Sequence, residues 1–190
     1  MNDARVLFRE FLRAPTTTAT LTASSDALVA AMVAPLPLDG EPAVVELGAG
    51  TGRVTDALQR RLAGRGRHVA VELNPVLAER LAARHPAVTV VQGDAGRLPD
   101  LLAEHGVERA DGIVSLLPWA AHAAAPIPAL AAGAIAPGGV FTQVQLLGLH
   151  LLAPARKIVD DTRAAFGDVT PGGPVWGNFP PARVVVARAR

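Results

Sequence analysis

The chain has 190 residues, half of them apolar, and 18 basic against 17 acidic side chains give a formal net charge of +1. This length suits one domain with a continuous core, and the balanced charge excludes a global field that would attract nucleic acid. Cysteine is absent, which excludes disulfides, thiolate metal sites and a cysteine nucleophile and favours a cytoplasmic protein. The longest apolar stretch, residues 120–136, contains His122 and two prolines. It is therefore not a membrane span, and the first residues do not resemble a secretory signal.

Residues 1–15 predict an amphipathic helix that ends at Pro15. Its apolar face carries Ala4, Leu7, Phe8, Phe11 and Leu12, and its basic face carries Arg5, Arg9 and Arg13. Two interpretations remain open: the helix packs on the domain, or residues 1–13 lie on an anionic membrane surface. Residues 16–40 predict a lead-in segment with a short helix, Asp26–Ala34, capped by Ser24 or Ser25. We expect residues 1–190 to form a single domain with these two segments at its front.

The stretch from Val44 to Leu62 predicts a buried strand, a glycine-rich turn and a helix from Arg53 onward. A strand, a tight turn and a helix N-terminus in this order form a loop that handles nucleotides. The spacing differs from the dinucleotide pattern G-x-G-x-x-G, because the third glycine, Gly52, comes one residue early and Arg53 occupies its place. The pattern therefore disfavours NAD. An ordinary strand-to-helix turn is the alternative interpretation.

After this stretch, short strands and helices alternate, which predicts a parallel sheet with helices on both faces. The further predicted strands are His68–Glu72, Val88–Gln92, Ala110–Leu116, Val140–Leu146, a short run at Val175–Trp176, and Val184–Ala187. No helix separates the last two, so they predict an antiparallel pair at one edge. The fold class is α/β: a three-layer, doubly wound, mostly parallel sheet of seven strands.

Polar residues follow two of these strands where a ligand of a doubly wound sheet would lie. Glu72 closes the second strand, and a carboxylate there can accept hydrogen bonds from both hydroxyls of a ribose. Asp94 closes the third strand. The alternatives are a solvated Glu72 and a helix-capping Asp94.

Several short motifs together resemble one family. They read V-V-E-L-G-A-G-T-G, V-A-V-E-L-N-P, V-V-Q-G-D-A, V-S-L-L-P and N-F-P-P-A-R. The chain resembles the class I S-adenosylmethionine-dependent methyltransferases, and within them the short bacterial N-methyltransferases that act on phosphatidylethanolamine. It resembles the rRNA adenine dimethyltransferases more distantly.

The resemblance implies S-adenosylmethionine as cofactor, S-adenosylhomocysteine as product, no metal, and an acceptor amine on a phospholipid headgroup. The implied cofactor-binding residues are Glu46, Gly48, Ala49, Gly50, Gly52, Glu72, Leu73, Asp94, Ala95 and Ser115. The implied catalytic residues are Ser115, Leu117, Pro118 and Trp119, which would hold the accepting nitrogen. Within this set, Asp94 would accept from the adenine amino group and Glu46 would help to hold the cofactor's ammonium.

Three other functions stay open at this point: methylation of RNA, methylation of a small metabolite, and cofactor binding without catalysis. The balanced charge makes nucleic acid an unfavoured partner, and a peripheral position on the inner membrane face is compatible with the N-terminal pattern. The five histidines show no metal-ligand spacing. Only His122, close after Trp119, is a candidate proton acceptor.

Overall fold

The computed structural model describes residues 24–148, 153–178 and 180–190. The predicted helix over residues 1–15 and its membrane segment 1–13 lie outside these ranges and stay predictions. The described helices are α1 (Asp26–Val33), α2 (Arg53–Leu62), α3 (Pro75–Arg84), α4 (Leu98–Glu104), α5 (Trp119–Ala124), α6 (Ile127–Ala134) and α7 (Ala153–Phe166), with a 3-10 turn at Ala95–Arg97. The described strands are β1 (Ala43–Leu47), β2 (Arg67–Glu72), β3 (Thr89–Gln92), β4 (Ala110–Ser115), β5 (Ile135–Leu146), β6 (Asp168–Pro171) and β7 (Ala182–Arg188).

The seven strands form one sheet in the order β3-β2-β1-β4-β5-β7-β6. The first five are parallel, whereas β7 runs antiparallel to both β5 and β6. The predicted mostly parallel sheet with an antiparallel edge pair is therefore confirmed. The order reverses between β1 and β4, so a ligand is expected outside the carboxyl ends of β1, β2 and β4.

Local capping signals fix where two helices begin. The Ser25 side chain accepts a hydrogen bond from Leu28 N at the start of α1. The Asn74 side chain accepts from Val76 N and Leu77 N, and Pro75 occupies the first position of α3. These caps satisfy amide groups that have no partner within the helix.

Apolar residues pack on both faces of the sheet, in two large clusters and a small third one. Val45 and Leu47 of β1 face one core, where Phe141 of β5 stacks on Phe166 of α7 with ring centroids 5.4 Å apart. Val44, on the opposite face of β1, packs in a second core with α1 and α2. Consecutive residues of a strand point to opposite faces, so one strand supplies both cores.

The predicted strand at Val175–Trp176 is wrong. Val175 makes only an isolated bridge to Ala182, and the edge strand is Asp168–Pro171 instead. Aspartate and proline disfavour a strand interior, but an edge strand tolerates proline because one side of it needs no donor.

Strand β5 begins earlier than predicted and contains the Pro137-Gly138-Gly139 turn as an irregularity. Ala110 of β4 pairs with Ile135, and Gly112 pairs with Val140, so β5 holds extra residues between these two pairs. A Cβ at Gly139 would lie 2.9 Å from the carbonyl oxygen of Asp111. Glycine is needed here because the bulged backbone approaches β4 so closely.

Candidate active site

The glycine loop joins the carboxyl end of β1 to the N-terminus of α2. Gly48, Gly50 and Gly52 all have positive φ, at 76°, 55° and 80°. The amide of Gly48 donates to Val71 O of β2 at 2.9 Å, which holds the loop against the neighbouring strand. A Cβ at Gly48 would lie 3.2 Å from Leu117 Cδ2, whereas a Cβ at Gly50 would approach only a carbonyl oxygen, at 4.0 Å. The loop therefore touches the end of β4 on one side and leaves its backbone open at Gly50.

Glu72 ties the loop to the end of β2. Its Oε2 accepts from Gly50 N at 2.7 Å and its Oε1 accepts from Asn74 N at 2.9 Å. The side chain is only 5% exposed, so the solvated alternative is wrong. Burial raises the pKa of this carboxyl above its usual 4.5, and the nearby Glu46 adds to the rise, although the backbone hydrogen bonds from Asn74 and Gly50 oppose it. Each carboxylate oxygen has a second lone pair, so both can still accept a ribose hydroxyl.

Glu46 lies on β1 and is fully buried, two residues before the loop. Its Oε2 accepts from Thr55 Oγ1 of α2 at 2.6 Å and lies 3.3 Å from His68 Nε2 of β2. The other ring nitrogen of His68 lies 3.0 Å from Gln59 Nε2 of α2. Glu46 Oε1 has no hydrogen-bond partner among the described residues. A buried carboxylate oxygen without a partner is costly, and a cationic group nearby would offset that cost.

Two predicted residues line the outer part of the loop region. Leu73, directly after Glu72, is 46% exposed, which is unusual for a large apolar side chain next to a buried strand. Asp94 is exposed and its Oδ1 accepts from Gly96 N at 2.8 Å, so it caps the 3-10 turn as the alternative interpretation held. Ala95, in that turn, is buried. The cap uses one oxygen of Asp94, and the arrangement still allows the other to accept from an amine.

The segment Ser115–Trp119 lies beside the glycine loop. Leu116 N donates to Leu47 O at 2.9 Å, and the Leu117 side chain faces Gly48. Ser115 is fully buried. Pro118 precedes α5, and Trp119 is its first residue and half-buried. The loop, Glu72 and this segment therefore meet at the predicted carboxyl edge.

Sequence reasoning missed a polar row at the end of β5. Gln143 is the register partner of Ser115, is 4% exposed, and its Oε1 has no partner among the described residues. Gln145, two residues on, accepts from Arg183 Nε at 2.6 Å. The available signal was the pattern V-F-T-Q-V-Q-L, in which two glutamines at alternate positions share one face of a largely apolar strand.

His122 of α5 is half-buried and its Nδ1 has no partner among the described residues. Burial lowers the pKa of this imidazole to about 4, and the charge of Asp161 opposes the shift. His122 is therefore neutral at physiological pH. A low pKa makes this imidazole a weaker base than usual, and its role as proton acceptor stays a prediction.

A cavity of about 360 Å³ opens between Arg109, Phe166 and Arg190, among other residues. Arg109 precedes β4 and Arg190 follows β7, so this cavity lies at the amino edge of the parallel strands. It does not belong to the candidate active site. Within the described ranges, no cluster of three metal-ligating side chains occurs, and none of the described helices is long and apolar enough to cross a bilayer.

The residues at the carboxyl edge fit S-adenosylmethionine. The open glycine backbone suits close approach of an amino-acid moiety, and the buried Glu46, whose Oε1 has no partner among the described residues, would hold its ammonium. Glu72 can take the ribose hydroxyls, and exposed Leu73 offers an apolar surface to a flat adenine ring. The cofactor supplies an electrophilic methyl group on sulfur when it is bound.

Comparisons with known proteins agree with this assignment. A family model described as a methyltransferase domain matches residues 44–139, about half of the chain. The ornithine lipid N-methyltransferase of Singulisphaera acidiphila is 32% identical over 195 residues, which cover 99% of this chain and 97% of that protein.

Solved structures share the fold at lower identity. An O-methyltransferase from Streptomyces achromogenes, solved with SAM, aligns with a TM-score of 0.71 and 19% identity over 98% of this chain and 88% of its own. A 16S rRNA methyltransferase from T. thermophilus, solved with AdoMet and guanosine, aligns with a TM-score of 0.65 and 22% identity over 92% of this chain. This chain spans only 45% of the length of that rRNA enzyme.

Fold and site together define a class I S-adenosylmethionine-dependent methyltransferase. The chain belongs to the methyltransferase domain family, and it is similar over nearly its whole length to a bacterial lipid N-methyltransferase.

Proposed function

We propose that the protein transfers the methyl group of S-adenosylmethionine to an amine on a membrane lipid headgroup, with phosphatidylethanolamine as one such lipid. The observation that carries the proposal is the 32% identity to the ornithine lipid N-methyltransferase, which extends over 99% of this chain. Ornithine lipid and phosphatidylethanolamine both present an aliphatic primary amine at the membrane surface, so the acceptor chemistry is shared.

The arrangement around Gly48 supports transfer to nitrogen. Methyl transfer is an in-line displacement at carbon, so the protein has to align the nitrogen with the methyl group and the sulfur. The Leu117 side chain lies against Gly48, so an acceptor amine held by Ser115–Trp119 would lie beside a cofactor bound at the glycine loop. Alignment of this kind lowers a barrier by roughly 7–11 kcal/mol.

The attacking amine has to be neutral, because a protonated amine has no lone pair. The half-buried, apolar segment Leu116–Trp119 disfavours a charged ammonium through desolvation and so favours the neutral amine. The neutral His122 does not take the proton in this proposal. Release of the proton to water before the amine enters is sufficient.

A methyl-transfer assay with labelled cofactor tests the proposal. The parallel acceptors are vesicles of phosphatidylethanolamine, ornithine lipid in detergent micelles, free ethanolamine, and RNA. We expect label in one or both lipids, at a rate at least about tenfold above that of free ethanolamine, because only a lipid supplies binding energy remote from the nitrogen. Label in RNA alone, or in free ethanolamine as fast as in lipid, would overturn the lipid assignment and leave the methyltransferase assignment intact.

A further inference from the structure

We infer that the turn Val175–Asn178, with Trp176 at its tip, is a membrane contact that inserts into the interfacial layer of a lipid bilayer. This inference rests on the proposed lipid acceptor. It adds a surface that the methyl-transfer site does not include.

Trp176 is the more exposed of the two large apolar side chains that the described residues leave open to solvent. It is 72% exposed, whereas Leu73, the other, is 46% exposed and belongs to the cofactor site. Tryptophan combines a large apolar ring with one N–H donor, and it is enriched at membrane interfaces for that reason. An exposed tryptophan outside the methyl-transfer site therefore points to contact with a lipid bilayer, whose interior is apolar and whose headgroup layer is hydrated.

The turn presents Trp176 rigidly. Val175 N donates to Ala182 O at 2.7 Å, Asn178 N donates to Val175 O at 3.4 Å, and the Asn178 side chain donates to Pro180 O at 2.8 Å. The Val175 side chain packs against the core of α1 and β7. Because the neighbours of Trp176 are fixed in this way, its exposure does not result from a loose loop.

The sequence of the turn itself carries no charge. No charged residue occurs between Asp168 and Arg183. A charged side chain would have to lose its hydration when the turn enters a bilayer, which is costly. This turn contains no such side chain. Most surface loops contain charges, so this uncharged turn fits an apolar surface rather than water.

The turn lies at the edge of the sheet that carries the active site. Ala182, where β7 begins, pairs with Leu146, where β5 ends, so the turn projects beyond the carboxyl end of β5. If the acceptor lipid stays in its bilayer during methylation, this edge has to face the bilayer. Trp176, which projects from the carboxyl edge of the sheet, then enters the headgroup layer.

The start of the described chain meets the same turn. Ser25 N donates to Asn178 Oδ1 at 3.0 Å, and Asn178 is 8% exposed. The described part of the chain therefore begins next to this turn. Residues 1–13, for which the sequence predicts an amphipathic helix with a basic face, precede it in the chain.

Vesicle binding of the full chain tests this surface. The probe is a vesicle of phosphatidylethanolamine and phosphatidylglycerol, and the variants are Trp176→Ala and Trp176→Phe. We expect Trp176→Ala to weaken partition about tenfold, the effect of losing one large apolar side chain from an interface, and Trp176→Phe to weaken it less. Equal partition of the intact chain and Trp176→Ala would overturn the inference.

Two further readouts separate the inference from the proposed function. Transfer to lipid solubilised in detergent micelles should be unchanged in Trp176→Ala, because the turn is not part of the methyl-transfer site. Absence of transfer to every lipid amine by the intact chain would overturn the proposed function alone, since vesicle partition is measured without turnover.

In a Trp119→Phe background, iodide should quench the fluorescence of Trp176 in the absence of lipid vesicles and should not quench it in their presence. Protection without lipid would mean that another part of the chain covers Trp176, and the inference would be wrong.

Discussion

The carboxylate of Glu72 accepts a hydrogen bond from the backbone amide of Gly50 at 2.7 Å. This contact joins the end of β2 to the middle of the glycine loop, so one buried side chain both shapes the loop and stays available to a ligand. We expect Glu72→Ala to weaken cofactor binding by about 1.5–3 kcal/mol, the range for hydrogen bonds to a charged group. Calorimetric titration measures the loss. Glu79→Ala, an exposed glutamate of the following helix α3, is the matched control, and unchanged affinity in Glu72→Ala would remove the ribose assignment.

The raised pKa of Glu72 predicts how cofactor affinity depends on pH. If Glu72 binds the ribose as proposed, the hydroxyls donate to the ionised carboxylate, so binding favours the ionised form and releases a proton when Glu72 is protonated beforehand. We therefore expect affinity to increase as the pH rises above 4.5 through the raised pKa, which burial causes. Titration in two buffers of different ionisation enthalpy detects the released proton. Glu72→Gln should abolish this pH dependence, and a dependence that persists in this variant would have to come from another group.

Gly48 should be more sensitive to substitution than another glycine with the same backbone conformation. Gly48 has φ +76° and a Cβ there would lie 3.2 Å from Leu117 Cδ2, whereas Gly40 has φ +68° and open space around it. Both alanine variants carry the backbone cost of about 1–2 kcal/mol for this region. Only Gly48→Ala should also lower cofactor affinity, by about tenfold or more, because the loop has to move. Thermal unfolding and cofactor titration of both variants separate the two effects.

Pro118 and Trp119 should act on turnover rather than on cofactor binding. Contacts made mainly with the acceptor in the transition state lower kcat when they are removed. We expect Pro118→Ala and Trp119→Ala to lower kcat on detergent-solubilised lipid by about tenfold or more while the cofactor Kd changes by less than about twofold. Trp176→Ala is the control for loss of an indole ring, and it should keep its kcat in detergent. Full activity in both variants would move the acceptor site away from this segment.

The buried His122 should make folding stability depend on pH. Its pKa is lowered by burial from 6.5 to about 4, so between these values the unfolded chain binds more protons than the folded chain. Stability is then lost as the pH falls from 6.5 toward 4, by up to about 3 kcal/mol. Urea unfolding of the intact chain and of His122→Gln measures this, and the variant should show a smaller loss. Its kcat at neutral pH should stay close to that of the intact chain.

The fold could be predicted where the signals are local. The glycines before Arg53 mark the end of a strand and the start of a helix directly in the sequence, and the predicted start of α2 agrees with the structure. The edge strand could not be predicted in this way. Asp168–Pro171 has unfavourable residues for a strand, and only its pairing with β7 makes it one. The β-rich run at Val175–Trp176 was favoured instead, and it forms a turn.

Residues of the candidate site could likewise be predicted only where the signal is local in the sequence. Glu72 could be placed from its position at a strand end, because the carboxyl ends of parallel strands meet at one edge. The contact of Glu46 with His68 could not, since it depends on the lateral register of β1 against β2, which no single stretch of sequence encodes. The pairing of Gln143 with Ser115 depends likewise on the register of β5 against β4. The amphipathic pattern of residues 1–15 stays a prediction.

The position of β7 between β5 and β6 constrains the order in which the chain assembles on the ribosome. β6 leaves the ribosome before β7, yet its pairing partner in the sheet is β7. The parallel strands can therefore pair before β7 is in place, whereas β6 can join the sheet only through β7. Until β7 pairs, the edge of β5 is open to chaperones and to aggregation.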